Sequence, residues 1–133
     1  MKSTFARNAV INHLMGKASF TMPSTVYAAL AISAITPATT GGTISEATYS
    51  GYARVAVPAA SLSTASGGNM TNTVDILWPE VQSGSDIVVS VAFCTAAAGG
   101  EILYYDADVG SVEVSTTQSP PTIKAGALSI SEE

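Results

Sequence analysis

Few side chains in this sequence could carry out covalent or acid–base chemistry. His13 is the only histidine and Cys94 the only cysteine among the 133 residues. A Ser-His-Asp or Cys-His site would therefore need His13, which falls within a predicted helix beside Leu14. Cys94 follows Phe93 in a strongly apolar segment, where a free cysteine usually behaves as a small hydrophobic residue. We therefore expect no catalytic site, and we predict that the protein is not an enzyme.

Asp106 and Asp108 are the best candidates for metal ligands, because residues two apart share one face of a strand. With Glu101 nearby, they could offer carboxylate oxygens to a calcium ion. Their spacing differs from the regular ligand series and the glycine of an EF-hand loop, so we interpret them as a solvated strand end. We predict neither a metal ion nor a cofactor.

Aromatic residues suggest a second kind of site, because their flat apolar faces and polar edges suit sugars. Trp78 and the tyrosines could line such a face, although these residue types more often anchor cores and protein interfaces. Carbohydrate or receptor binding is therefore an alternative function. Glycan binding that is lost in the variant Trp78→Ala would support it. The tyrosines are Tyr27, Tyr49, Tyr52, Tyr104 and Tyr105.

The composition favours burial against other proteins. Charged residues make up 11% of the chain and hydrophobic residues 47%, whereas a typical soluble domain is about one quarter charged. The polar residues are mostly Ser, Thr, Asn and Gly, which lose less than charged residues do when a neighbouring subunit covers them. The sequence therefore indicates a protein that acts through its surfaces.

Charge and cysteine content exclude several environments. The formal net charge is −5 and the five basic residues are scattered without forming a basic stripe, which argues against a nucleic-acid partner. One cysteine provides no disulfide framework and favours folding in a reducing host cytoplasm. The apolar run 26–35 is too short to span a bilayer and too far along for a signal peptide, so we expect no membrane partner.

The pattern of residues predicts one helix followed by strands. Ser3 or Thr4 can cap a helix in which apolar residues recur at helical spacing until Gly16. Alternating apolar segments bounded by Gly, Pro and Ser then predict five or six strands. These segments are residues 25–35, 49–57, 70–78, 86–95, 101–109 and 121–131. We predict a single mainly β domain over residues 1–133, with a helical arm (1–17) and an antiparallel β-sandwich or flattened barrel (24–131).

Five short motifs follow one another along the chain, namely YAAL (27–30), GYAR (51–54), GN (68–69), GGEILY (99–104) and AGAL (125–128). Together with the N-terminal helix, their order resembles a group of small virion proteins of tailed bacteriophages over nearly the whole chain. Members of that group are tail-fibre or other structural proteins, and some resemble head-decoration, or cement, proteins that form trimers on the capsid. The resemblance brings no catalytic residues.

The resemblance implies a homo-oligomer, expected to be a trimer, that binds the major capsid protein on the outer capsid surface and stabilises the shell. Stabilisation would follow from binding to the assembled state alone. A tail or tail-fibre subunit is the alternative within the same particle. We expect the contacts to come from the helix and from loops 37–49 and 61–69, because loops offer surface that the core does not need. The predicted interface residues are Phe5, Val10, Leu14, Ile44, Tyr49 and Asn69.

Overall fold

The computed structural model describes residues 1–132, which form one α-helix followed by ten short β-strands. The helix, α1, spans Thr4–Leu14. The strands are β1 (Thr25–Ala31), β2 (Val55–Pro58), β3 (Asn69–Thr71), β4 (Ile76–Leu77), β5 (Ser85–Val88), β6 (Ser90–Cys94), β7 (Ile102–Asp106), β8 (Val112–Ser115), β9 (Thr122–Ile123) and β10 (Ser129–Ser131). A 3-10 turn, Ala59–Ser61, follows β2.

Helix α1 begins and ends as its sequence predicts. The Ser3 hydroxyl accepts a hydrogen bond from the backbone N–H of Ala6 at 3.0 Å, which satisfies one of the free donors of the first turn. Gly16, with φ of 69°, takes the left-handed conformation that ends many helices. The Ser3 hydroxyl also donates to the carbonyl of Ile102 in β7, so the same residue caps the helix and ties it to the sheet.

A four-stranded antiparallel sheet in the order β2-β1-β6-β7 forms the centre of the protein. The first three residues extend it beyond β7. The N–H of Ser3 donates to the carbonyl of Leu103 at 3.1 Å, and the N–H of Tyr105 donates to the carbonyl of Met1 at 2.9 Å. The start of the chain therefore covers an edge that would otherwise expose unpaired backbone groups.

Three two-stranded ribbons, β3–β10, β4–β9 and β5–β8, form a second layer on one face of this sheet. The residues buried between the layers are mostly large and apolar, and include Leu30, Trp78, Phe93 and Val114. Because the second layer consists of separate ribbons, residues 1–132 form an open sandwich and not a closed barrel. The predicted mainly β, antiparallel fold with one N-terminal helix is confirmed.

The opposite face of the sheet carries small residues. Ala29, Ala31, Ala92 and Cys94 are fully buried there. Their size lets the loop after β1 approach closely, and Ile35 from that loop packs into the same cluster. The central sheet is therefore buried on both faces, by the ribbons on one side and by a loop on the other.

Several predicted strands are shorter than expected or broken in two. Residues 70–78 form β3 and β4, separated at Asn72, whose side chain binds backbone groups of neighbouring turns. Residues 86–95 form β5 and β6, because the chain crosses from the second layer to the central sheet at Val89. In the predicted strand 49–57, only the end is regular, because Gly51 has φ of 96° and bends the chain.

The loop that covers the alanine-rich face makes one very close backbone contact. The N–H of Gly41 donates to the carbonyl of Gly100 at 3.0 Å. A Cβ atom added at Gly41 would lie 2.1 Å from the carbonyl oxygen of Gly99, whereas one added at Gly42 would meet only the Thr40 hydroxyl, at 3.8 Å. The first position therefore needs glycine for steric reasons and the second does not.

We predict that Gly41→Ala lowers the free energy of unfolding by about 1–3 kcal/mol, because the added methyl group must push two backbone segments apart. Gly42→Ala is the matched control, since it has the same effect on the unfolded chain without the clash. Urea denaturation followed by circular dichroism would measure both variants. Equal stabilities for the two would contradict this account of the loop.

Candidate functional site

The most highly connected polar cluster is centred on Arg54, whose side chain is 2% exposed. Its Nε and Nη2 donate to one carboxylate oxygen of Glu46, at 3.0 and 2.5 Å. Its Nη1 donates to the carbonyls of Ala96 and Gly99, both at 2.8 Å, and Nη2 donates to that of Gly41 at 2.7 Å. These five bonds match the five N–H donors of a guanidinium group, so the buried charge is fully hydrogen-bonded.

Glu46 connects this cluster to the central sheet. Its second carboxylate oxygen accepts a hydrogen bond from the Tyr52 hydroxyl at 2.6 Å, and that hydroxyl accepts one from the N–H of Leu30 in β1 at 3.1 Å. Burial and the bond to Glu46 raise the pKa of Tyr52. Burial alone would lower the pKa of Arg54, but its bond to Glu46 raises it above the ordinary value. Arg54 therefore stays charged and Tyr52 stays protonated.

The Arg54 cluster joins three segments that are distant in sequence. They are the loop carrying Gly41 and Glu46, the GYAR motif (51–54), and the turn between β6 and β7 that begins the GGEILY motif. Within residues 1–132, no buried side-chain nitrogen or oxygen lacks a hydrogen-bond partner. The Arg54 cluster holds these three segments together. Its polar groups are already hydrogen-bonded to one another.

A second cluster, around Asn72, involves the AGAL motif and was missed from the sequence. The Asn72 Nδ2 donates to the carbonyls of Val74 and Lys124, at 2.8 and 2.9 Å, and its Oδ1 accepts from the N–H of Leu128 at 3.0 Å. The side chain thus ties the break between β3 and β4 to the AGAL motif (125–128). The sequence contained one indication of this cluster: Asn72 lies within a predicted strand, and asparagine is disfavoured in strands.

His13 and Cys94, the two candidates for catalytic chemistry, both have structural roles. His13 Nδ1 accepts a hydrogen bond from the N–H of Phe20 at 3.1 Å, which fixes the segment after α1. Cys94 is fully buried, and burial raises the pKa of its thiol to about 11. A nucleophilic cysteine needs the opposite shift, toward a lower pKa.

Asp106 and Asp108 stabilise successive turns after β7. Asp106 Oδ1 accepts from the N–H of Asp108 at 3.1 Å, and Asp108 Oδ1 accepts from the N–H of Gly110 at 2.9 Å. Such side-chain bonds to a backbone two residues on are typical of Asp in turns. The described part of the chain contains no group of three or more His, Cys, Asp or Glu residues that could hold a metal ion.

Trp78 lies in the core, 2% exposed, and its indole N–H donates to the carbonyl of Ala28 at 3.2 Å. The side chain therefore anchors the core, and only 2% of it is exposed for the suggested sugar-binding face. Tyr49 and Tyr105 are each 3% exposed.

The six predicted interface residues differ widely in exposure. Phe5 and Leu14 are 37% and 71% exposed, Asn69 is also exposed, and Val10 and Ile44 are half-buried. Tyr49 differs from the prediction, because its ring packs in the core and its hydroxyl donates to the carbonyl of Pro79. We therefore remove Tyr49 from the set.

Two further exposed residues of the helical region were missed. Ile11 is 60% exposed and Met15, just after α1, is 69% exposed. With Leu14 they form an outward-facing apolar stripe, since residues three and four apart lie on the same side of a helix. That spacing was visible in the sequence, but of these three residues only Leu14 was predicted as a contact.

A cleft of about 500 Å³ lies between the central sheet and the C-terminal strands. Its walls are largely apolar and include Trp78, Phe93 and Tyr104. The Tyr104 hydroxyl and the Lys2 ammonium group both donate to the Glu132 carboxylate, and these bonds lower the pKa of Glu132. The contacts hold the segment after β10 against the sheet.

The family model described as "Podophage GP4 fiber I protein gp80" matches residues 1–131. The chain belongs to this family. It is accordingly a structural protein of a bacteriophage virion, as its motifs suggested. No curated protein matches the chain. Among the residues that the structure describes, no helix has the length and apolar character needed to cross a membrane.

We predict that Arg54→Met lowers the free energy of unfolding of this fiber I family member by about 3–5 kcal/mol, because it leaves the Glu46 carboxylate without its partner. Lys124→Met is the control, since Lys124 pairs with Asp75 on the surface at 3.1 Å and exposed pairs contribute about 0–1 kcal/mol. Guanidinium denaturation would measure both. A small loss in Arg54→Met would show that the cluster does not hold the three segments together.

We predict that Cys94 in the folded protein reacts slowly with an aromatic disulfide reagent at pH 8. Its pKa of about 11, against about 8.5 for an ordinary thiol, lowers the thiolate population by roughly 200-fold at this pH. The unfolded chain also releases this proton above about pH 8.5, so the free energy of unfolding should fall as the pH rises further. Reaction in guanidinium is the control, and equal rates in the folded and unfolded protein would contradict the prediction.

Proposed function

We propose that this protein is a homo-oligomeric subunit of a bacteriophage fibre, and that it acts by binding neighbouring virion proteins and not by catalysis. The observation that carries the proposal is the match of residues 1–131 to a family described as a podophage fiber protein. The low share of charged residues, 11%, supports it, because subunits of an assembly cover much of one another's surface.

The well-packed body supports this role. Its central sheet is covered on both faces, and its loops are fixed by the fully bonded Arg54 and Asn72 side chains. A body of this kind loses little conformational entropy when it binds, so more of the contact energy remains available for assembly.

The N-terminal arm (residues 1–17) supports contacts with other subunits. Ala6 is the buried residue of α1, whereas Ile11, Leu14 and Met15 are 60% or more exposed. Large apolar side chains grouped on a surface usually mark a protein contact. The arm therefore offers apolar area that a neighbouring protein would cover.

Head decoration is the second candidate function. In this proposal the protein binds the major capsid protein on the outer capsid surface, as a trimer, and stabilises the shell by binding its assembled form. The compact body and the exposed arm favour it too, because three docking sites in one trimer reinforce each other through effective concentration. The two functions differ in location and in number of copies per particle.

Cryo-electron microscopy of the intact virion would test these proposals. We expect density for this fold in fibres, in a few to some dozens of copies. Particles carrying a copy of the protein fused to a compact tag provide the control, since the added density must appear at the same place. Density repeated over the capsid lattice would replace the fibre proposal with head decoration, and absence of the protein from both locations would contradict both.

A further inference from the structure

We propose that the N-terminal arm of one copy binds the outer face of the β5–β8 ribbon of a second copy. This inference rests on the homo-oligomer of the proposed function and identifies the two surfaces that would meet. It is carried by opposite charges and by exposed apolar residues at both places.

Charge is divided unequally between the arm and the rest of the chain. Residues 1–17 contain Lys2, Arg7 and Lys17 and no acidic residue, so their formal charge is +3. The remaining 116 residues contain all ten acidic residues and two basic ones, which gives −8. Those two basic residues, Arg54 and Lys124, already pair with carboxylates of the same chain. Charges of opposite sign steer two surfaces together and fix their orientation.

The arm combines its positive charge with apolar area on one side. Arg7, Ile11 and Leu14 are spaced four and three residues apart, so they lie along one side of α1, away from the buried Ala6. Within residues 1–132, neither Arg7 nor Lys17 forms an ion pair. The exposed side of the arm therefore presents a cation next to large apolar side chains.

The β5–β8 ribbon presents the complementary surface. Ile87 lies directly opposite Glu113 in the antiparallel register, so both side chains lie on the same face of the ribbon. Val88 and Val114 are buried in the core, which places Ile87 and Glu113 on the outer face. Ile87 is 57% exposed, and Glu113 is exposed as well. A carboxylate beside an exposed apolar side chain matches the pattern on the arm.

The arm and the ribbon are different surfaces, so their contact is head-to-tail. Such contacts close into rings when the rotation between neighbours allows it, and they form filaments when it does not. A closed ring of three would give the expected trimer, in which each copy donates one arm and receives another.

Sedimentation velocity of the full chain over a range of concentrations tests this inference. Arg7→Glu should weaken self-association at least tenfold, and so should Glu113→Arg, because each places like charges together. The double variant Arg7→Glu with Glu113→Arg should recover the association of the unmodified protein, because it exchanges the two charges. Lys124→Glu is the matched control, since it makes the same change in charge outside the arm. Thermal unfolding would show that all variants fold.

The outcomes separate this inference from the proposed function. Unchanged association in Arg7→Glu, or a double variant that does not recover, would overturn the arm–ribbon contact while leaving a fibre oligomer built by another surface. An unmodified protein that stays monomeric at all concentrations would overturn both this contact and the homo-oligomer. Arg7-dependent binding to anionic lipid vesicles or to DNA, without self-association, would overturn the contact in favour of a different partner.

Discussion

One buried guanidinium group determines how the loops of this protein are arranged. Arg54 could not remain charged in the interior unless every one of its donors had an acceptor, because an unpaired buried charge is very costly. Glu46 and three backbone carbonyls supply those acceptors. To do so, two loops and a hairpin turn must come to the same place. The position of these loops is therefore fixed by the need to neutralise one charge, although the loops contain little regular structure of their own.

The same requirement explains the size of the residues beneath the covering loop. Ala29, Ala31 and Ala92 line that face of the sheet, while Leu30 and Phe93 line the other. A larger residue in the alanine positions would hold the loop away from the sheet, and Arg54 would lose its acceptors. One face of the sheet is thus filled by large side chains of the sheet and the ribbons, and the other by a loop that lies close to small residues and inserts Ile35 among them.

Part of this structure could be predicted from the sequence, because the signals for it are local. The cap at Ser3 and the stop at Gly16 define α1, and alternating apolar residues define the sheet strands. The breaks at Asn72 and Val89 depend on partners far along the chain, so a continuous apolar pattern concealed them. The Arg54 cluster was missed for the same reason: its GYAR motif supported the family resemblance, but nothing local identifies Glu46 as its partner. The exposed apolar stripe of α1 was predicted only in part, through Leu14, because periodicity shows that an apolar face exists but not whether the same chain covers it.

The crossing at Val89 has a mechanical consequence. Val88 belongs to the β5–β8 ribbon and Ser90 to the central sheet, and the N–H of Val89 donates to the carbonyl of Ala31 in β1. A force applied to that ribbon would pass into the central sheet through a single residue, because no flexible linker separates β5 from β6. The two layers of the body would consequently move together as one stiff element under load.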